Sequence, residues 1–267
     1  MATMAEKAAR FKALHEEQGA FIMPNPWDRG SAKVMEHLGF KALATTSAGF
    51  AHTLGRADGA LSAQENIEHC RDLGSAVAVP MSADLENCYA DDPQDAAKTL
   101  LAAAKAGMAG GSIEDYDGAR IYDFNHAVER VRAAAEVLGS RPHPFMLTAR
   151  AENLIRGVPD FDDTIRRLQA FAAAGADVLY APGLKTIAEI RTVVQSVGKP
   201  LNVLAPMARG VSVEEMAAAG VKRISLGGAL LRAVMASLFT AGTQMLEEGT
   251  FTWTGALTRE KDIASLY

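Results

Sequence analysis

The chain has 267 residues, 49% of them hydrophobic, with 27 basic against 32 acidic side chains and a formal charge of -5. That length and the even spread of apolar residues suffice for one large core, so a single domain over 1–267 is expected. An acidic chain offers no footprint for nucleic acid or an anionic bilayer, no stretch reads as approaching the ~20 apolar residues of a membrane span, and two cysteines, Cys70 and Cys88, make no disulfide framework; a cytoplasmic protein without nucleic-acid or membrane partners is expected.

In chain order, an amphipathic N-terminal helix precedes a strand near 20–24 (AFIMP). The NPWDRGS that follows offers Asp28 as a helix N-cap or Trp27 as part of a pocket floor. The next helix closes on Leu38-Gly39 and feeds a strand near 42–47 (ALATTS). The same grammar, a helical stretch ending in glycine and then a short β-like run, recurs in AAAKAGMAGGSIED, AAAGADVLYAPG and MAAAGVKRISLGG. Gly39 and Gly107 are 68 residues apart, as are Gly107 and Gly175, which fits two strand–helix units of 34 between each pair; Gly220 closes a later helix. Filling the gaps with that unit places further strands near 77–83, 111–114, 145–149, 177–181, 201–204 and 222–227. Eight strands alternating with amphipathic helices such as PQDAAKTLLAAAKAG call for a parallel sheet with right-handed crossovers. A closed (β/α)8 TIM barrel, which leaves no strand edge to protect, is the expected fold. No GxGxxG opens a helix, which argues against a dinucleotide-binding sheet.

Such barrels carry their chemistry on the loops after the strand C-termini, and there this sequence turns polar. Asp84 and Glu86 follow the third strand, Glu114 and Asp115 the fourth, Arg150 the fifth, and Asp58 sits in the loop after the second. Carboxylates gathered on one rim repel one another unless a cation neutralises them. A set of oxygen ligands suits a hard ion, Mg2+ first and Mn2+ as a substitute. Asp84 is the expected direct ligand, with Glu86, two residues on and facing the same side, and Glu114 holding its waters. Asp115 reads equally as a structural cap or ion-pair partner. Arg150, at the mouth of a buried strand, needs an anion; either a substrate carboxylate or phosphoryl group or the nearby Glu152 would serve. Thr45 to Gly49 supply hydroxyls and accessible N–H groups for a carboxylate, or simply a helix N-cap. Asn202 stands within the seventh strand, where one face points into the barrel. His52, His69, His126 and His143 follow no metal spacing.

From FIMPNPWDRGSAKVMEHLGFKALATTSAGFAHTLGRADG through SADLENCYA, GGSIED and MLTAR to KRISLGG, the chain resembles the isocitrate lyase/phosphoenolpyruvate mutase superfamily. SADLENCYA is similar to the family's metal signature, and IED and TAR to its other two site motifs. The resemblance implies Asp84 as the Mg2+ ligand, with Glu86 and Glu114 on its waters. It implies that Thr46, Ser47 and Ala48 bind the substrate carboxylate, largely through backbone amides, while Asp58 and Arg150 line the pocket. It also implies a homotetramer or homodimer in which the C-terminal helical segment, about 229–267, packs on a neighbouring subunit and covers Phe251, Trp253 and Leu257.

Departures from the family pattern narrow the chemistry. Members that cleave isocitrate or methylisocitrate carry a cysteine in the loop after the fourth strand, where this chain reads Tyr116 to Asp123 without one. Cys88 instead occupies the turn after the third strand, where glycine is usual, and Tyr180-Ala181-Pro182-Gly183 stands where those lyases place a glutamate. The mutases' gating loop is missing, and their strand 2 tryptophan is Ala44 here. Isocitrate-type cleavage is therefore not expected. What the resemblance leaves is an Mg2+-dependent carbon–carbon lyase or decarboxylase of a small 2-oxo acid, working through a metal-stabilised enolate. An oxaloacetate decarboxylase-like or carboxyvinyl-carboxyphosphonate phosphorylmutase-like member is the expected kind. Retro-aldol cleavage needs a base, for which Tyr180, Tyr116 and Tyr122 are the candidates; a phenol with a pKa near 10 is a poor one, which favours decarboxylation. The alternatives are a phosphorus–carbon enzyme acting on a phosphonate, of the phosphoenolpyruvate mutase, phosphonopyruvate hydrolase or carboxyphosphonoenolpyruvate mutase type, and a catalytically weak barrel that binds anions.

Overall fold

The computed structural model describes residues 2–258 and 260–264. Its strands are β1 (Phe21–Met23), β2 (Leu43–Ala44), β3 (Met81–Ala83), β4 (Gly110–Glu114), β5 (Met146–Arg150), β6 (Val178–Tyr180), β7 (Leu201–Leu204) and β8 (Arg223–Ser225). The helices are α1 (Met4–Glu16), α2 (Arg29–His37), α3 (Ser47–Thr53), α4 (Ala63–Ala76), α5 (Pro93–Lys105), α6 (Phe124–Gly139), α7 (Phe161–Ala173), α8 (Ile187–Ser196), α9 (Val213–Ala218) and α10 (Ala229–Thr243). All strand pairings are parallel, in the order β1-β8-β7-β6-β5-β4-β3-β2. The seam between β1 and β2 is bridged where Ala44 N–H donates to Pro24 O at 3.0 Å. Asn25 staples the same seam from above: its Nδ2 donates to Thr45 O, and its Oδ1 accepts from Leu226 and Gly227 N–H, each at 2.9 Å. The fold is the expected (β/α)8 barrel.

Local chemistry explains the repeat. Gly39, Gly107, Gly175 and Gly220 all have positive φ, between 92° and 109°, the left-handed geometry that ends a helix and that a Cβ would penalise. Asp28 caps α2 by accepting from Ser31 N–H at 2.7 Å, while Ser62/Glu65, Thr186/Glu189 and Ser212/Glu215 form reciprocal capping boxes. Five predicted strands are shorter than expected, the second and third by four residues each. The third begins at Met81 rather than 77, because Val77 ends α4 and Pro80 has no N–H for a ladder. The second stops at Ala44, because Thr46 turns to cap α3, its Oγ1 accepting from Gly49 N–H at 3.2 Å.

The main core lies between sheet and helices, around Leu43, Leu73, Met81, Leu100, Leu147 and Phe171. A second cluster, with Phe11, Leu14, Met23, Met146 and Val178, fills the N-terminal end of the bore beneath α1. Gly110 permits this plug: a Cβ there would stand 2.7 Å from both Met146 O and the Phe11 ring. Lys7 ties α1 down by donating to Gly74 O and Val77 O at 2.9 and 2.6 Å. The bore therefore opens at the strand C-termini.

At the other end of the chain, Ala229–Glu248 is a continuous helical run of 20 residues, apolar and long enough by composition to pass for a membrane span. This corrects the sequence expectation that no stretch approaches that length. Arg232, Ser237, Thr240 and Thr243 break the apolar run to the eye while leaving its mean hydropathy high. Little of it is buried, and Val234, Leu238, Phe239 and Leu246 are exposed.

Candidate active site

A cavity of about 600 Å³ opens at the C-terminal mouth of the barrel, lined by Asp58, Asp84, Glu86, Glu114, Arg150 and Tyr180, with Thr46, Ser47, Ala48 and Asn202 among its other walls. The structure thus brings these ten sequence-predicted residues to one chamber, while Trp27 and Tyr122 are not among its walls. Asp84 follows β3 directly. Its Oδ2 accepts from the N–H and Oγ of Ser47, both at 3.1 Å, at the N-terminus of α3, and its Oδ1 accepts from Arg150 at 2.9 Å. Thr45 Oγ1 fixes the Asp84 backbone by accepting its N–H at 2.8 Å. Of the segment expected to greet a substrate carboxylate, the Thr46 hydroxyl is thus committed to its cap and the Ser47 N–H to Asp84.

Arg150, the last residue of β5, is the hub of the rim. It pairs with Asp84 at 2.9 Å, Glu114 at 3.1 Å and Glu152 at 2.8 Å, so the sequence-local partner Glu152 and the rim carboxylates both engage it. Burial alone would weaken its proton affinity, but the three carboxylates outweigh burial and raise its pKa. Arg156 reinforces the cluster at 3.7 Å from Glu114 and 3.1 Å from Glu152. These two guanidinium groups face five carboxylates: Asp58, Asp84, Glu86, Glu114 and the fully buried Glu152. The imbalance shows in the protonation equilibria. Burial, then Asp84 and Asp58, push Glu86 up to about 7, while burial raises Glu114 well above the carboxylate range against the pull of Arg150. At the mouth, partial desolvation and then Asp84 raise Asp58.

Such excess negative charge fits a hard cation. Among the described residues no three acidic, His or Cys side chains converge as a ready cage, because Arg150 holds Asp84 and Glu114. The donor set therefore fits an ion that takes one carboxylate directly and completes its shell with water and ligand oxygens, the usual habit of Mg2+.

The family described as phosphoenolpyruvate phosphomutase matches residues 11–246. The chain belongs to that family. Within the wider isocitrate lyase/phosphoenolpyruvate mutase superfamily, it is similar to a lyase/mutase structure from Burkholderia cenocepacia J2315, named there as putative, at 47% identity over 98% of this chain and 95% of that one, with a TM-score of 0.96. It is 27% identical to the oxaloacetate decarboxylase of Ectopseudomonas mendocina over 73% of this chain and 69% of that protein. Phosphonopyruvate hydrolase, solved with oxalate and Mg++, shares the fold at a TM-score of 0.86 and 22% identity, covering all of this chain and 95% of that one. Members of the superfamily are lyases and mutases, which supports an enzyme here.

In this family member the three candidate tyrosines part company. Tyr180, ending β6, lies with the Arg150 guanidinium 5.1 Å from its ring centroid, and burial pushes its phenol up to about 12. It is neutral at physiological pH, a hydrogen-bond donor and not a ready base. Tyr116 lines the mouth but donates to Gly118 O at 2.7 Å, under the Arg156 guanidinium. Tyr122 turns away from the cavity, toward Asn87 and Asp91. Asp115 proves structural: buried, it accepts from Glu152 N–H at 2.8 Å and Arg167 at 3.0 Å. Asn202 is buried in the bore, donating to Ser225 Oγ and accepting from Arg223, both at 2.9 Å.

Sequence reasoning missed Arg156, Arg223, Asn25, Thr148 and Ser225, and treated Glu152 only as a partner for Arg150. For Glu152 and Arg156 the signal is present in retrospect: their i, i+4 spacing just beyond Arg150 puts a second ion pair beside the first. Glu86, Cys88 and Tyr89 have φ of 52°, 61° and 59°, left-handed non-glycine residues in the turn where the family pattern usually has glycine at the position of Cys88. Such backbone strain collects at functional loops.

Proposed function

We propose that the chain is an Mg2+-dependent carbon–carbon lyase or decarboxylase acting on a small 2-oxo acid through an enolate stabilised at the rim. The observation that carries this reading is the buried excess of carboxylates around Arg150, in a chamber whose tyrosines are not bases. Asp84 would hold the ion, with Glu86 and Glu114 on its waters, and Mn2+ would serve as a substitute. The bound ion supplies Lewis-acid stabilisation of the negative charge that grows on the substrate oxygens. Arg150 and Arg156 hold the rim carboxylates in place, Ala48 and its neighbours shape the carboxylate end, and Tyr180 donates a hydrogen bond without removing a proton. Loss of CO2 requires no prior deprotonation, whereas a retro-aldol step does; the high pKa of Tyr180 and the outward turn of Tyr122 therefore favour decarboxylation.

The family description keeps one rival in view, cleavage or migration of a phosphorus–carbon bond. Purified protein with Mg2+ is expected to turn over oxaloacetate, above the metal-only rate, at least about tenfold faster in kcat/KM than phosphonopyruvate. Phosphate or phosphoenolpyruvate released from the phosphonate, with oxaloacetate left at the background rate, would overturn the reading.

We extend it to assembly and setting. The exposed apolar face of Val234, Leu238 and Phe239, continuing to Phe251 and Leu257, is the kind of surface that a second copy of this chain covers. Trp253 is half-buried; residues 259 and 265–267 of the same segment lie outside the described residues. Light scattering is expected to give the mass of four or two chains, and Leu238→Glu to lower it; a monomer at micromolar concentration would refute the packing of this segment on a neighbouring subunit. Cys70 and Cys88, both free and buried, suit a reducing cytoplasm.

A further inference from the structure

The bore below the rim has the opposite electrostatic character. Arg223 opens β8, level with Phe21 and Asn202, and is 3% exposed. Its guanidinium meets only neutral groups. Nε–H donates to Asn202 Oδ1 at 2.9 Å, Nη2–H to Thr148 Oγ1 at 3.0 Å, and Nη1 lies 3.5 Å from His15 Nε2. His15 is itself neutral, its pKa pushed down to about 3 by burial and then by Arg223. No carboxylate among the described residues pairs with Arg223, in contrast to Arg150, Arg156 and Arg167, each of which has at least two. A buried guanidinium without a counter-charge is costly, and burial accordingly pushes its pKa down to about 9. Yet Arg223, Thr148, Asn202 and Ser225 line the same cavity as Asp84. With α1 plugging the N-terminal end, an anion reaches Arg223 from the mouth.

We propose that Arg223, with Asn202, Thr148 and Ser225 around it, is a floor subsite for a second oxyanion of the substrate. The inference rests on the reading that Asp84 marks the metal and enolate end. The ligand then spans the chamber, its chelating end at the carboxylate-rich rim and its far oxyanion at the floor. A guanidinium holding a carboxylate that departs as neutral CO2 would stabilise the ground state more than the transition state. The group at Arg223 is therefore one that stays charged through the reaction, so the substrate is a 2-oxo acid with an anionic arm beyond its scissile bond.

The test measures binding of unreactive ligands in the presence of Mg2+, by calorimetry on the whole chain. Oxalate probes the rim alone. The 2-oxo diacids of five and six carbons, each against the 2-oxo monoacid of equal length, probe the floor, and a phosphonate in place of the far carboxylate separates the two oxyanions. At least one diacid or phosphonate is expected to bind roughly 10- to 100-fold more tightly than its uncharged counterpart. Arg223→Met is expected to erase that preference, and Arg223→Lys to keep part of it, with oxalate affinity within about threefold of the parent protein throughout. If oxalate binds but no charged arm is preferred by the parent protein, the floor subsite is wrong whether or not the Met variant folds. If Arg223→Met folds, by circular dichroism, and retains the preference, the assignment to Arg223 fails. If oxalate does not bind at all, the rim reading fails and this inference with it.

Discussion

Asp84→Ala is expected to lower kcat/KM by more than about 10³-fold and to abolish Mg2+-dependent binding of oxalate. A metal acting as Lewis acid contributes several kcal/mol of charge stabilisation, and each 1.36 kcal/mol is about a tenfold change in rate. On the proposed reading Asp84 would hold such an ion; it is set beside the Ser47 N–H and faces the cavity. Its loss leaves the fold's own bookkeeping intact, because Arg150 keeps Glu114 and Glu152 as partners. Unfolding by circular dichroism should therefore shift little while calorimetric metal binding disappears. A variant that binds Mg2+ and oxalate as the parent does, with kcat/KM within tenfold, would remove Asp84 from the centre of the site.

The opposite pattern, a structural collapse, is expected for Arg150→Met. Three carboxylates converge on this guanidinium, two of them at 6% exposure or less. Breaking a buried pair strands an uncompensated charge and costs about 3–5 kcal/mol, and thermal unfolding is expected to fall by roughly 6–20 °C for a chain of this size. The deficit should depend on pH in a defined direction. Glu114 already has a raised folded-state pKa from burial, partly offset by Arg150; without Arg150 it rises further. An acid whose folded pKa exceeds its unfolded one binds more protons folded, so stability is retained below the unfolded pKa and lost as pH climbs toward the folded one. The melting temperature of Arg150→Met should consequently approach the parent's near pH 5 and fall away toward pH 8. A deficit that is the same at both pH values would show that Arg150 acts by packing and not by charge.

Both effects trace to residues that the sequence itself singled out, since Asp84, Glu114 and Arg150 stand at the ends of strands whose positions follow from local chemistry. The glycine C-caps, the N-cap boxes and the apolar β-runs each operate within one strand–helix unit, so eight strands and their polar C-terminal ends were legible without tertiary information. The largest boundary errors arose where one residue imposed a rule on its neighbours, as Pro80 did on β3 and Thr46 on β2.

What shares the bore is a different matter. Strand alternation sends Glu114 inward and leaves Asp115 to bind Arg167 on α7, a choice fixed by where β4 ends. Arg223 meets Thr148 from 75 residues away and His15 from 208, and Asn25 reaches Leu226 across 201. The sequence alone determined the repeat, the barrel and the acidic rim, because caps and periodicity act over a few residues. Only the tertiary structure decided that Arg150 gathers the rim carboxylates and that an unpaired guanidinium lies at the floor. Those neighbours are set by the register of eight strands closing on one another, and that register is a property of the closed barrel, not of any one segment.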